Sequence, residues 1–204
     1  MRTSDMDICL VRHGETDWSL TGQHTGITDL GLTHHGQAQA RRLAPRLRQL
    51  GIDHVRVSPR LRAQQTCALA GFADRSEIDP DLAEWDYGAY EGRRTVDILR
   101  EVPDWDIWRD GCPGGETPEA VQHRIDRLLL RLARLSGRVA LFAHGQLGAA
   151  LAARWIGLPV SAGQHFSLQT ASVSLLGVDP RRPDRRRIDL WNEAPPAEGK
   201  DGAA

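Results

Sequence analysis

Four short stretches of this 204-residue chain carry side chains suited to holding a phosphate-like anion. Arg12-His13-Gly14-Glu15-Thr16 follows directly on the apolar run Ile8-Cys9-Leu10-Val11, so a strand would end on a guanidinium, an imidazole and a tight turn with exposed backbone amides. Ser58-Pro59-Arg60-Leu61-Arg62-Ala63 follows a second strand-like run, Glu84 opens a third segment, and Ala143-His144-Gly145 closes a strongly apolar one. Phosphoryl transfer needs this combination: fixed cations around the equatorial oxygens, and a nucleophile in line with the leaving group. Arg12, Arg62 and a protonated His144 would supply the cations. His13 would attack phosphorus through one ring nitrogen while the other is held by a hydrogen bond, and hydrolysis would then pass through a phosphohistidine. Glu84 would protonate the departing alkoxide, kept in its acid form by burial and by the charge of the phosphate. The sequence offers no convergent Asp/His metal-ligand set, and the arginines fill the role a magnesium ion plays elsewhere, so neither metal nor cofactor is expected.

For these residues to meet, the chain must place three strand ends side by side. Strand-like runs lie at Asp7 to Val11, His54 to Ser58, Val139 to Ala143 and Ser172 to Val178, and the near-continuous apolar character of three of them predicts a sheet covered on both faces. Helical patterns separate them at Thr33 to Leu50, Leu61 to Ala70, Pro118 to Leu135 and Ala149 to Ile156. The third is the clearest, with Val121, Ile125, Leu128, Leu129 and Leu132 on one face and Thr117 as N-cap. Such alternation predicts an α/β three-layer sandwich on a mostly parallel central sheet, where ligands gather outside the carboxyl ends of the strands. Residues 84 to 117, rich in Trp, Tyr, Gly and Pro, read as an irregular or short-helical lid over the domain 1 to 192, or as a satellite apolar cluster anchoring a long loop. Residues 193 to 204 read as a disordered tail.

Composition bounds the rest. The length suits one well-buried domain. With 26 basic residues against 27 acidic, no global field favours nucleic acid or an acidic membrane surface, so anion binding must be local. Cys9, Cys67 and Cys112 lack metal or disulfide spacing, and no apolar stretch is long enough for a signal peptide or a membrane span. The expectation is a cytoplasmic protein with a small-molecule phosphate ester as partner and no nucleic acid or membrane; a homodimer is compatible with it.

Taken together, Arg12-His13-Gly14, Arg62, Glu84 and His144-Gly145 resemble the histidine phosphatase superfamily, whose members include cofactor-dependent phosphoglycerate mutases and many small phosphatases; the resemblance spans about residues 7 to 178. The strings from Glu15 to Gly26, Glu84 to Gly92 and Ile107 to Cys112 are similar to the broad-range acid phosphatase and sedoheptulose bisphosphatase branch. This resemblance implies a phosphoglycerate mutase-like fold with His13 as nucleophile, Arg12, Arg62 and His144 on the phosphoryl group, and Glu84 as proton donor. It also implies that Ser19, Thr25 and Gly26 line the entrance. Tyr87, Arg93, Arg94, Arg109 and Gly145 are further candidates for substrate contact, while Trp85, Trp105 and Trp108 would offer flat faces to a sugar ring. Arg93 and Arg94 also read as a solvated helix start, Gly114-Gly115-Glu116-Thr117 as the cap of the next helix or as a turn presenting Glu116 or its amides to the site, and Arg185-Arg186-Arg187 as a solvated edge.

Two departures bear on substrate. Mutases follow the acid with arginine and carry a long basic substrate loop, whereas Glu84 precedes Trp85 and Asp86, which favours hydrolysis. In the bisphosphatase branch a basic residue follows the second histidine by five positions; here that position is Ala149. The expected function is a metal-independent phosphomonoesterase acting on a small metabolite such as a sugar phosphate. The rival readings are a phosphoglycerate-type phosphomutase and a module that binds or dephosphorylates phosphoproteins.

Overall fold

A computed structural model describes residues 6–195. In chain order it contains β1 (Met6–Arg12), α1 (Asp17–Thr21), α2 (His34–Gln49), β2 (His54–Val57), α3 (Leu61–Leu69), β3 (Ser76–Ile78), α4 (Thr95–Leu99), α5 (Ile107–Asp110), α6 (Pro118–Leu132), β4 (Gly137–Ala143), α7 (Gly145–Trp155), β5 (Val173–Asp179) and β6 (Arg182–Glu193). The strands form one sheet in the order β3-β2-β4-β1-β5-β6. β3, β2, β4 and β1 run parallel, whereas β5 and β6 are antiparallel to their neighbours.

The pleat of β1 decides the layering. Ile8 and Leu10 face α6 and α7, in one apolar cluster with Val139, Leu141 and Leu176. Cys9 and Val11 face the other way, against Leu43 and Leu47 of α2 and Ala63 and Cys67 of α3. Alternate residues of one strand are thus buried on opposite faces, which is why the strand reads as a continuous apolar run and not an alternating one. On α6 the expected stripe of Val121, Ile125, Leu128, Leu129 and Leu132 is buried, and the Thr117 hydroxyl caps the helix by accepting from the Ala120 amide at 3.2 Å.

Sequence and structure part company in three elements. β3 and β6 carry no apolar run: β3 is a three-residue strand with Ile78 exposed, and β6, which contains Arg185-Arg186-Arg187, is the antiparallel edge. An edge strand need not be apolar on both faces, so its pattern is silent. α7 begins at Gly145, four residues before the expected start, because two glycines in its first turn mask the helical signal. At the other end, Glu193 closes β6 and pairs with Arg46 at 2.8 Å, so the last strand extends past residue 192. The rest of the expected tail, residues 196–204, lies outside the described residues.

Residues 84 to 117 do form short helices, yet the segment is a packed wall. Trp85, Tyr87, Tyr90, Ile98, Trp105, Ile107 and Cys112 all belong to the core cluster on the α6–α7 side. Among the described residues no helix is long and apolar enough to cross a membrane.

Candidate active site

β4 lies between β2 and β1, and the three carboxyl ends are tied together where the strands stop. The Ser58 amide donates to Phe142 O at 2.9 Å and the His13 amide to Ala143 O at 3.0 Å. Ser58, His144 and His13 are consequently neighbours, each one residue beyond its strand or at the cap of the next helix. The rings of His13 and His144 lie 5.3 Å apart.

His13 Nδ1 donates to Gly14 O at 2.7 Å. A carbonyl can only accept, so this bond places the ring hydrogen on Nδ1 and leaves the lone pair on Nε2. Burial, then the charges of Arg12 and Arg62, hold His13 well below the usual histidine range. A neutral imidazole with a free Nε2 is the form that can act as nucleophile.

His144 Nε2 lies 2.7 Å from Ser58 Oγ. Ser58 Oγ also accepts the Arg60 amide at 3.2 Å; when it gives its own hydrogen to Nε2 of a neutral His144, the ring hydrogen sits on Nδ1. That Nδ1 is buried without a hydrogen-bond partner. Burial and the charges of Arg62, His13 and Arg12 push His144 well below the usual range. Without an anion the neutral ring is favoured, because burial and the charges of the two arginines disfavour a further cation; the expected charge on His144 belongs to the phosphate-bound site.

The fixed charges are the two arginines. Arg62, wholly buried in the first turn of α3, donates to Thr25 O at 2.8 Å, Gly26 O at 3.2 Å and Thr28 O at 3.1 Å. That loop is clamped in turn by Glu91, whose carboxylate accepts the Gly26 and Thr28 amides at 2.9 Å. Gly26 is required there, since a Cβ would stand 2.4 Å from Trp85 O. Arg12 is anchored to Leu168 O and passes so close to the start of α7 that a Cβ at Gly145 would lie 3.3 Å from its Cζ. Neither Arg12 Nε nor Arg62 Nε has a partner, and both are buried. Burial lowers the proton affinity of both guanidiniums, while Glu84 opposes it. Arginine nonetheless stays charged, so the site holds two desolvated cations against one carboxylate, an imbalance that a phosphate dianion offsets.

Glu84 is held by the start of α7. Its Oε1 accepts from the Trp85 amide at 2.9 Å and the Leu147 amide at 2.8 Å, and its Oε2 from the Gln146 amide at 3.1 Å. Among the described residues, no three His, Cys, Asp or Glu side chains converge in a metal-ligating group.

Around these groups lies a pocket of about 230 Å³, lined by Arg12, His13, Glu84, Gln146, Tyr87 and His24, with Ser19, Gln23, Thr25 and Thr95 at its polar wall. The sequence reading thus places Arg12, His13, Ser19, Thr25, Glu84 and Tyr87 on one pocket, with Arg62 and His144 just behind it. Gly26 and Gly145 sit in the supporting shell. Arg93, Arg94 and Arg109 do not line this pocket; their side chains are paired with Glu101, Asp97 and Asp110, each at 2.7 Å or less, while the Arg93 and Arg94 backbone adjoins the pocket residues His24 and Gln23. Trp85 and Trp105 are likewise withdrawn, buried in the core with their indole N–H groups donating to Glu116 O and Gly111 O. Glu116 faces away, paired with Arg124 at 2.7 Å.

Ser58, His24, Thr95 and Gln146 were not singled out by sequence reasoning. Ser58 and His24 lie inside quoted motifs, so position next to Arg62 and Thr25 was an available signal; nothing in the sequence marks Thr95 or Gln146. A larger hollow of about 460 Å³ lies away from this site, beside Asp79, Asp81 and Arg131, whose charges are mutually paired.

Comparison with known proteins agrees with the geometry. The family model for the histidine phosphatase superfamily (branch 1) matches residues 8–194. An acid phosphatase of Mycobacterium tuberculosis is 42% identical over 176 residues, 84% of this chain and 86% of the relative. A sedoheptulose 1,7-bisphosphatase of Saccharomyces cerevisiae is 39% identical over 184 residues, 74% of this chain and 68% of the relative. The solved structure of an open reading frame from Mycobacterium tuberculosis superposes with a TM-score of 0.88 at 36% identity, covering 94% of this chain and all of the other. On a full-length family match, two close relatives and a shared fold, the chain belongs to branch 1 of the histidine phosphatase superfamily and is a phosphatase.

Proposed function

We propose that the protein hydrolyses a small phosphate monoester, with a sugar phosphate as the favoured class, through a phosphohistidine on His13 and without a metal ion. The observation that carries this reading is the trio of buried, unpartnered nitrogens on Arg12, Arg62 and His144 beside a His13 whose Nε2 lone pair is free. Three donors prepared for an anion and one nucleophile form the minimum set for in-line transfer.

In the first step Nε2 of His13 attacks phosphorus, the P–O bond to the alcohol breaks, and the alkoxide takes a proton delivered by Glu84. Arg12, Arg62 and His144 Nδ1 hold the equatorial oxygens. Water then attacks the phosphohistidine, Glu84 takes a proton from it, the P–N bond breaks, and inorganic phosphate leaves with His13 restored. The polar wall of Ser19, Gln23, Thr25, Thr95 and Tyr87 supports a hydroxylated substrate over a phosphoprotein, because a pocket of about 230 Å³ suits a metabolite and not a chain.

Acid-labile, alkali-stable label on His13 after a quench in mid-turnover is the expected result, with chelator present throughout and radiolabelled glucose 6-phosphate as probe. His13→Ala should show neither label nor turnover. An active, unlabelled alanine variant would mean direct attack by water and would overturn the covalent route.

A further inference from the structure

A second groove of about 270 Å³ shares Arg12 and Gln146 with the reacting pocket and is lined further by Trp108, Ala149, Gln164, Phe166 and Ser167. We infer that this groove is the leaving-group subsite and that it selects an uncharged, hydroxylated leaving group, so that monophosphates are preferred over bisphosphates. The inference rests on the phosphatase reading above.

Direction comes from Glu84. The ester oxygen it protonates must lie within hydrogen-bond reach of its carboxyl, and that carboxyl accepts from the backbone amide of Gln146, a residue that lines both hollows. Atoms attached to the leaving oxygen therefore start at the boundary and can continue into the groove.

Selectivity comes from its walls. Among the described residues, Arg12 is the one ionisable side chain lining the groove, and it already serves the transferring phosphoryl group and Leu168 O. A second phosphate placed here would lose its water shell with no cation of its own. What the groove does offer is neutral. The Gln164 amide oxygen, the Ser167 hydroxyl and the Gln146 amide can exchange hydrogen bonds with hydroxyls, and the Trp108 and Phe166 rings supply flat apolar faces. Trp108 is rigid: it meets Trp85 edge to face at 5.6 Å and lies against Gly163, where a Cβ would stand 2.4 Å from the ring. Ala149, 3% exposed, places only a methyl group where a long cationic side chain would reach the groove.

The test compares kcat/KM for glycerol 3-phosphate, glucose 6-phosphate and fructose 1,6-bisphosphate in wild type, in Ala149→Arg and in Gln164→Ala/Ser167→Ala, the last pair being surface changes that spare the core. Wild type should favour glucose 6-phosphate over the bisphosphate, and Ala149→Arg should shift that ratio toward the bisphosphate by about tenfold or more, the scale of one charge-assisted contact. The double variant should lower the ratio of glucose 6-phosphate to glycerol 3-phosphate by roughly three- to tenfold, as expected for one or two lost hydrogen bonds. Phosphate release from all three compounds with the double variant's ratio unmoved, or a wild type that prefers the bisphosphate, would overturn the subsite alone. No phosphate release from any of them would overturn the sugar-phosphate reading itself.

Discussion

Every hydrogen bond Glu84 makes is one it accepts, from the amides of Trp85, Gln146 and Leu147. A dianionic substrate brings no proton with it, so service as an acid depends on a proton taken up from solvent as the anion binds, and the Oε2 atom, with a single bond, is the place for it. Glu84→Gln keeps the shape and removes that proton, so kcat for an alkyl phosphate should fall on the order of 10²-fold, and far less for a nitrophenyl phosphate whose leaving group needs little protonation. Equal losses on both substrates would assign Glu84 to positioning. Ser58 acts one step further back, through the His144 tautomer. Ser58→Ala should weaken vanadate inhibition and kcat/KM in parallel, each by about tenfold, because the lost bond disorients a phosphate donor without touching the nucleophile. A lowered kcat/KM with unchanged vanadate affinity would separate Ser58 from phosphate binding. At this scale the sequence was most readable for the groups that end strands, His13 and His144, since an imidazole after an apolar run is placed by topology alone. The serine that sets the tautomer was not, because no pattern distinguishes it from a turn residue. The tryptophans misled for a physical reason: indole is equally suited to a sugar face and to a core, and in Trp85 and Trp105 the core takes it.

Helix α7 shows what element-level reading gains and loses. Its first turn donates two amides to Glu84, its cap residue is His144, and its inner face is made of small residues that admit Leu10 and Leu168 at Gly148. Gly145 and Gly148 lower helical propensity in that first turn, which is why the functional end of the helix was the part that escaped the sequence. The apolar strands β1, β4 and β5 and the amphipathic α6 were legible because both-face burial and a single apolar stripe write themselves into residue period. β6 was not, because an edge strand of alternating charge satisfies its backbone without an apolar pattern. The short helix Val160–His165 packs on α5 through Gly163 and Trp108. Gly163→Ala would drive a methyl group into a ring that Trp85 holds from the other side, and overpacking of this kind costs about 1–3 kcal/mol. A lowered Tm with an altered tryptophan signal in near-ultraviolet circular dichroism is the expected outcome. Unchanged stability would show that this contact can relax.

For the whole molecule, the cost of the site is written in its histidines. His13, His24 and His144 are all buried, and all are held below the usual histidine range, His24 to about 4, chiefly by burial. His24 is stacked on Tyr87 at 4.6 Å with Thr95 Oγ at 3.2 Å, so its neutral form is built into the pocket wall. Unfolded, each would take up a proton near pH 6.5 that the folded protein refuses. The sign follows: the unfolded state binds more protons below that value, so the stabilisation present above pH 6.5 is lost as pH falls toward the folded values, at up to about 1.4 kcal/mol per pH unit for each histidine. The lowered carboxylates Asp81, Asp97, Asp110 and Glu119 act in the same direction but only from about pH 5 downward, so the window between pH 6.5 and about 5 belongs to the histidines. Tm measured across that window should fall steadily, and His24→Asn should start lower at pH 7.5 yet fall less steeply, by about one histidine's share. A wild-type Tm that is flat from pH 6.5 to 5 would contradict this account of the buried cluster. Bound vanadate should raise Tm throughout, since an anion against Arg12 and Arg62 offsets the same crowding of positive charge that keeps His13 and His144 neutral.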